Sequence, residues 1–530
     1  MGPTIQDAEE RDHYIEQGWW GTEALSDVVA RHATERPDAP AYRWGRAVLD
    51  WKGYHALGDT IAARLAGEGV RCEDRVLVFA PDGGGVHGAY LGCERAGAVA
   101  VGVGWRAGVR ELRALVEKTR PRAAILPVET PLGPAAALCH ELEIDRVLFL
   151  EQLDDAPRPR SGPVAEPAGV GDPSSLWLIN STSGTTGLPK CVMQTQNRWR
   201  FFHQLAVDFG ELGRDAERFM SVVPAPFGFG LWTAHFTPTL LGAPCTVQQR
   251  FDAREAAVRI GEERISVLCA VSSQFVMILD AAEGLDLTSL RVLFTGGERL
   301  PLERSREFEA RTGCTVLNFY GSNETGTLSG TRVGDPLEKR ISTGGRCIDE
   351  MQVRLYDEKL KRISGDVGVG IPACRGPATS PGYFNDQDAN RELFTEDGWM
   401  LMGDFVEIDD EGWLRVIGRS ADFIVRGGKN ISAPAVEEEV CTHPCVVQAA
   451  ALPVPDRRLG ETVGVCVQLR PGSELTLEGL CEHLASRGVS REWWPQHIAV
   501  LDDLPTSSGG KIAKGELRER VETLFSHSAD

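Results

Sequence analysis

No apolar run in this 530-residue chain approaches the roughly 18–20 residues that a membrane-crossing helix needs. The acidic opening MGPTIQDAEERD lacks the apolar stretch of a secretory signal. A soluble, cytoplasmic protein with no membrane partner is the expectation. Paired cysteines are missing too. Thirteen are scattered, odd in number and never spaced as CxxC, the pattern of free thiols in a reducing compartment. Cys441, His443 and Cys445 come nearest to a metal cluster, but their alternate spacing and lack of a second ligand pair read instead as a turn at Pro444 entering a strand. Positive charge is in deficit, with 56 basic against 76 acidic residues and a net charge of −20, so no nucleic acid is expected as a partner. Among the basic residues lysine is the scarce one. Of its few occurrences, Lys190, Lys429 and Lys511 sit beside glycines in short polar loops, where a point charge on a flexible stem differs from a guanidinium fork. The GxSxG elbow of a serine hydrolase is absent, and no 20–50-residue repeat is found.

What remains is an ordinary globular composition, 42% hydrophobic and 25% charged, in a chain too long for a single core of roughly 100–200 residues. At least two domains are expected. Short apolar runs at 74–81, 123–127, 146–150, 176–180, 291–295 and 315–320 read as buried strands, and segments 109–120 and 302–313 have helical spacing. That alternation argues for layered α/β sheets, substantially parallel. After about residue 340 short strands and turns suggest an antiparallel, β-rich region, and the last hundred residues return to an α+β pattern. The expected division is a large domain over 1–418, a hinge at 419–421, and a small mobile domain over 422–530.

Three polar loops follow apolar strands. STSGTTGLPK (181–190) brings hydroxyls, flexible glycines and Lys190 to a strand end, a combination suited to phosphate oxygens. It is not a Walker A loop, since Pro189 precedes the lysine and Cys191 follows it. NFYGSNETG (318–326) offers Tyr320 as a flat face for a purine, Gly321 for close backbone approach and Glu324 as a hard carboxylate suited to Mg²⁺. FTGGERL (294–300) can face the same crevice, and nucleotide sites in open α/β sheets are built from such loops. Gly102, Gly104 and Ala107 match a dinucleotide fingerprint, but no acidic residue stands at the offset a ribose requires.

Taken together, STSGTTGLPK, YGSNETG, MGDF, GRSADFIVRGGKNIS and LPTSSGGKI resemble, in order and spacing, the superfamily of AMP-forming acyl-CoA synthetases, adenylation domains and luciferases. The likeness runs from about residue 25 to 520 and points to its acid–CoA ligase branch. It implies ATP, Mg²⁺ and coenzyme A as cofactors and a small-molecule carboxylic acid as substrate. By this resemblance Thr182, Ser183, Gly184, Thr185, Thr186, Gly187 and Lys190 would hold the ATP phosphates. Gly297, Glu298, Asn318, Phe319, Tyr320, Gly321, Ser322 and Asn323 would surround the nucleotide, and Glu324 would bind the metal. Asp404 would accept hydrogen bonds from both ribose hydroxyls, Arg419 would contact ribose or phosphate, and Lys511 would bridge the α-phosphate and the substrate carboxylate. Gly427 and Gly428 would leave room for pantetheine when the small domain rotates.

The chain departs from the usual pattern at several places. Asn323 replaces a Thr before the metal carboxylate, Gln196 replaces a His, Phe227 replaces a polar gate, Ala421 replaces a charged hinge residue, and Met402 replaces a Thr. The segment 224–236 is expected to line the acyl pocket with Phe227, Phe229, Gly230, Trp232 and His235, together with Gly296. It carries no Asp to pair a substrate ammonium, which disfavours α-amino acids, and its rings favour an aryl or cyclic acid over a fatty acid. Two alternatives stand beside the ligase: an acyl-AMP ligase serving a carrier protein or partner enzyme, and a nucleotide-binding protein without catalysis. The oligomeric state is not readable from the sequence.

Overall fold

The computed structural model describes residues 8–154, 171–182, 190–213, 216–298, 300–419, 423–426, 429–506 and 512–525. Ser183, Gly184, Thr185, Thr186, Gly187, Ala421, Gly427, Gly428 and Lys511 lie outside these residues. Thr182 and Arg419 are placed only as strand backbone.

Two large sheets build the N-terminal domain. In one, strands Pro40–Trp44, Cys245–Val247, Phe219–Ser221, Val267–Cys269, Val292–Gly296 and Thr315–Ser322 run parallel, and antiparallel strands close both edges. In the other, Leu178–Thr182, Val99–Gly102, Arg75–Val78, Ala123–Leu126 and Val147–Phe149 are parallel, with Lys190–Gln194 antiparallel at the edge. The near-continuous apolar runs of these strands suit sheets covered on both faces. Each expected strand is present, and the expected helices form as Val109–Thr119 and Leu302–Thr312.

Between the sheets lies helix Gly84–Arg95, every residue of which but Gly85 is buried. It packs on helix Trp51–Gly67, whose first turn is capped by the Asp50 carboxylate accepting from the Gly53 N–H. The two helices approach so closely that a Cβ on Gly88 or Gly92 would stand 2.3 Å from Leu57 or 2.4 Å from Ile61. One apolar cluster consequently runs through both sheets and this helix pair.

The β-rich region is antiparallel as expected, ordered Arg354–Tyr356, Gly368–Cys374, Asp404–Ile408 and Leu414–Arg419. A small C-terminal domain follows. Its sheet pairs Lys429–Ser432, Phe423–Arg426, Gly460–Leu469 and Val446–Asp456, and helices Ala433–Cys441 and Leu477–Ser486 pack on it around Val440, Val465 and Leu484. Cys441 closes the first of these helices, and the strand after Pro444 opens at Val446. Among the described residues no helix is long and apolar enough to cross a membrane.

Candidate active site

The described ends of the polar loops, at Thr182 and Lys190, Gly297 and Ser322, lie where strands end, and one strand organises what faces them. Alternation along Thr315–Ser322 sends Asn318 and Tyr320 to one face and Phe319 to the other. Tyr320 donates from its hydroxyl to Oδ2 of Asp404 at 2.9 Å. Asp404 is buried at the start of its strand and stands directly opposite Arg419 in the register. Asn318 uses its side-chain amide on the Thr343 carbonyl at 2.8 Å. Phe319, on the reverse face, meets Trp232 with ring centroids 5.1 Å apart and Phe294 at 5.6 Å.

The turn after Tyr320 is tight. A Cβ on Gly321 would lie 1.9 Å from the Gly326 carbonyl oxygen, so only glycine fits there. Hydrogen bonds from the backbone N–H groups of Glu324 and Thr325 to the Ser322 hydroxyl, at 3.2 and 3.1 Å, hold the turn. Glu324 accepts at Oε1 from the Tyr383 hydroxyl at 2.8 Å, and the Lys190 ammonium stands 5.0 Å from the Tyr383 ring centre. Burial, with the Glu324 charge adding to it, raises the Tyr383 phenol and keeps it a donor. Lys190 lies opposite Thr182 in the antiparallel register, so the chain departs at Thr182 and resumes at Lys190 in one place. Thr182, Lys190 and Glu324 are brought to a common mouth in this way. Gly297 adopts φ 78°, a left-handed turn beyond strand Val292–Gly296, and Glu298 beside it approaches the Ser273 N–H at 3.5 Å.

The acyl segment begins with the chain turning sharply at 224–230. Ala225 donates its N–H to Oδ1 of Asp82 at 2.7 Å, and burial raises that carboxyl to about 7. A Cβ on Gly230 would be 2.1 Å from the Pro224 carbonyl oxygen, and one on Gly296 would be 2.5 Å from that of Phe319. Residues Leu231–Phe236 then form a π-helical turn just ahead of Pro238, a widened geometry common at functional sites. Phe229 and Trp232 pack at 5.5 Å, Phe202 and Trp232 at 4.6 Å, and Phe227 is half-buried at the loop. His235 does not join them. It lies in a closed column of rings, stacked between His87 and Trp177 at 5.4 Å on each side, and burial lowers its pKa to about 3.

Beneath the mouth is a polar network that the motifs did not reveal. The side-chain amides of Asn323 and Asn180 pair reciprocally, at 2.7 and 3.2 Å. Gln194 donates to both side-chain oxygens, at 2.8 Å to Asn180 and 3.1 Å to Asn323. Asn180 also donates to the Pro226 carbonyl of the acyl turn at 2.8 Å. The departure at position 323 therefore has a structural partner, the side-chain amide of buried Asn180. Arg198 lies fully buried below, donating to the carbonyls of Asn323 at 2.9 Å, Glu324 at 3.2 Å and Ala378 at 2.8 Å, and to Oε1 of Gln194. The polar Asn180 closing the apolar strand LWLIN was a visible signal; nothing in a single sequence marks Arg198 or Tyr383.

Glu324 has the chemistry of a Mg²⁺ ligand. It is a hard carboxylate half-buried at the mouth beside Lys190, with one oxygen fixed by Tyr383 and its backbone held by Arg198.

Comparison with known proteins gives the family and the fold. The family of AMP-binding enzymes matches residues 29–384, and the AMP-binding enzyme C-terminal domain matches residues 435–511. The 2-hydroxy-7-methoxy-5-methyl-1-naphthoate–CoA ligase of Streptomyces carzinostaticus is 31% identical over 95% of this chain and 94% of its own length. The medium-chain fatty-acid–CoA ligase of Escherichia coli is 28% identical over 96% of this chain and 93% of its own. Among solved structures, the anthranilate CoA ligase AuaEII in complex with anthranoyl-AMP superposes with a TM-score of 0.85 at 20% identity, covering 96% of this chain and 98% of that one, a likeness of fold.

Proposed function

This chain belongs to the AMP-binding enzyme family, and from that premise we propose that its two-faced strand Thr315–Ser322 joins an ATP site to a pocket for an aromatic or cyclic carboxylic acid. The chain is an AMP-forming acid–CoA ligase: it activates a carboxylic acid as the acyl adenylate and passes the acyl group to coenzyme A. The observation that carries the finer reading is the placement of Tyr320 and Phe319. Tyr320 orients Asp404 on the nucleotide face, while Phe319 closes the Trp232–Phe229 aromatic wall on the other.

In the reaction the substrate carboxylate attacks the α-phosphorus in line, releasing pyrophosphate, and the coenzyme A thiolate then displaces AMP. Neither step needs a protein nucleophile, so the side chains position groups and neutralise charge. Asp404, held by Tyr320, accepts from the ribose hydroxyls. Lys190 and the hydroxyl-rich loop after Thr182 would take up the phosphates, and Arg419, opposite Asp404 in the strand register, would meet ribose or phosphate. Glu324 would hold Mg²⁺, which when bound offsets the charge of the phosphates. Lys511 would reach the reacting carboxylate and α-phosphate from the small domain, and Gly427 and Gly428 would admit pantetheine after that domain turns about 419–421.

Supporting an aryl or cyclic acid are the ring-lined wall, the absence of an acidic residue from segment 224–236, and the naphthoate substrate named for one relative. A fatty acid, the substrate class named for the Escherichia coli relative, is the second reading. The deciding experiment measures carboxylate-dependent pyrophosphate release from MgATP with aryl, cyclic and fatty acids, each with and without coenzyme A. Turnover that needs coenzyme A and yields an aryl or cyclic thioester is the expected result. Fatty acids turned over faster than every ring-bearing acid would reverse the order. Acyl-AMP release indifferent to coenzyme A would transfer the acceptor role to a carrier protein or partner enzyme.

A further inference from the structure

Arg198 is the least expected residue beneath the site. A guanidinium buried this deeply is costly unless it is paired, and no described carboxylate forms an ion pair with it. Its hydrogen bonds go to neutral oxygens instead. The Nε–H binds the Ala378 carbonyl, one terminal nitrogen binds both the Asn323 carbonyl and the Gln194 amide, and the other binds the Glu324 carbonyl. Its plane also lies 5.0 Å from the Trp199 ring centre. These four acceptors come from three separate stretches of chain: the strand that returns at Lys190, the turn carrying both Asn323 and Glu324, and the 376–380 loop whose Ser380 N–H also binds the Glu324 carbonyl at 2.7 Å.

Such a pattern does not suit a side chain that only fills space. A planar fork spends its donors in fixed directions, and here three of its four hydrogen bonds converge on backbone carbonyls in and beside the Glu324 turn, the fourth going to the Gln194 side chain. The Glu324 carbonyl receives two hydrogen bonds, from Arg198 and Ser380, and its carboxylate receives one from Tyr383. Gln194 extends the tie to Asn180 and Asn323, and Asn180 extends it to Pro226. The three loops that meet ATP, metal and acid are thereby linked through one buried cation.

We infer that Arg198 is a positioning residue: it presets the Glu324 turn for Mg·ATP and supplies positive charge beneath the phosphate mouth, without touching substrate. The inference rests on the reading of an ATP site at this mouth. If the unaltered enzyme fails to bind ATP, that reading is what fails.

The test compares Arg198→Met and Arg198→Lys with the unaltered enzyme. Calorimetry measures the affinity for ATP in excess Mg²⁺, for ATP in a chelator, and for AMP, and steady-state assays give the KM of the acid. In Arg198→Met the gain in ATP affinity conferred by Mg²⁺ is expected to shrink at least tenfold, with AMP affinity and acid KM within twofold. Arg198→Lys keeps the charge but offers one nitrogen in place of a fork, and a loss of threefold or more in the same quantity is expected. Mg²⁺-dependent ATP affinity within twofold of the unaltered enzyme, in a variant that still binds AMP normally, would overturn the inference. Should Arg198→Met fail to fold, Arg198→Lys decides by the same two thresholds. A general loss of packing would lower AMP affinity and acid binding together, which is the second overturning result.

Discussion

Gly230→Ala isolates the acyl turn from the rest of the site. The added Cβ would stand 2.1 Å from the Pro224 carbonyl oxygen and close to the Val223 carbonyl as well, roughly 1 Å inside the closest contact such atoms make. Both obstacles are backbone, so no side chain can swing away. The turn must open, and opening it pulls the Ala225 N–H from its 2.7 Å bond to Asp82 and the Phe227 N–H from its 3.2 Å bond to Pro224. Overpacking of this kind costs about 1–3 kcal/mol, and unmaking a buried hydrogen bond adds about 1–3 kcal/mol. If half of that sum falls on the acid complex, the acid kcat/KM drops on the order of tenfold, since about 1.4 kcal/mol is one decade. The assay is pyrophosphate release at saturating MgATP across acid concentrations, with AMP binding by calorimetry as the control for an intact nucleotide face. A folded Gly230→Ala enzyme with normal AMP affinity and an acid kcat/KM within twofold of the unaltered one would refute the placement of the acid against this turn.

Tyr320→Phe removes the hydroxyl that holds Asp404; a hydrogen bond to a charged group is worth about 1.5–3 kcal/mol, so AMP affinity should fall about tenfold or more in calorimetry while acid KM stays put. Lys511→Ala should abolish acid-dependent pyrophosphate release yet leave AMP binding intact, and unchanged turnover would remove that lysine from the chemistry. Asp82 carries a pH signature. Burial lifts its carboxyl from 3.8 to about 7, so across that window the folded chain keeps a proton that the unfolded chain has lost, and stability falls as pH rises. Asp82→Asn retains the acceptor for Ala225 and should flatten that part of a thermal-stability profile; an unaltered slope would assign it to other groups. Cys72 is the one exposed thiol among the free cysteines, and burial raises Cys93, Cys245, Cys269 and Cys374, so a thiol reagent should label Cys72 first in the native protein and reach the buried set only after denaturation.

The sequence by itself determined the layered α/β architecture, because its apolar runs and helical spacings are local patterns that survive without knowledge of partners. It also determined the order of the polar loops, since hydroxyls, glycines and carboxylates at strand ends announce their chemistry where they stand. The resemblance grouped Phe319 with the nucleotide, but the strand's period of two turns it to the aromatic wall; that Asn318, Phe319 and Tyr320 end a strand was legible. What each face met was not. Tertiary structure decided that Tyr320 meets Asp404, 84 positions later, and that Tyr383 reaches Glu324 across 59. It took His235 out of the aromatic wall and into a column with His87 and Trp177, because the widened turn at 231–236 rotates that ring away from the spacing a regular helix would give. It made Asn323 intelligible through Asn180, and it revealed Arg198, three of whose four partners are backbone carbonyls that any residue type could supply. Side-chain identity records what a residue can donate or accept; only the folded chain brings the acceptor to it.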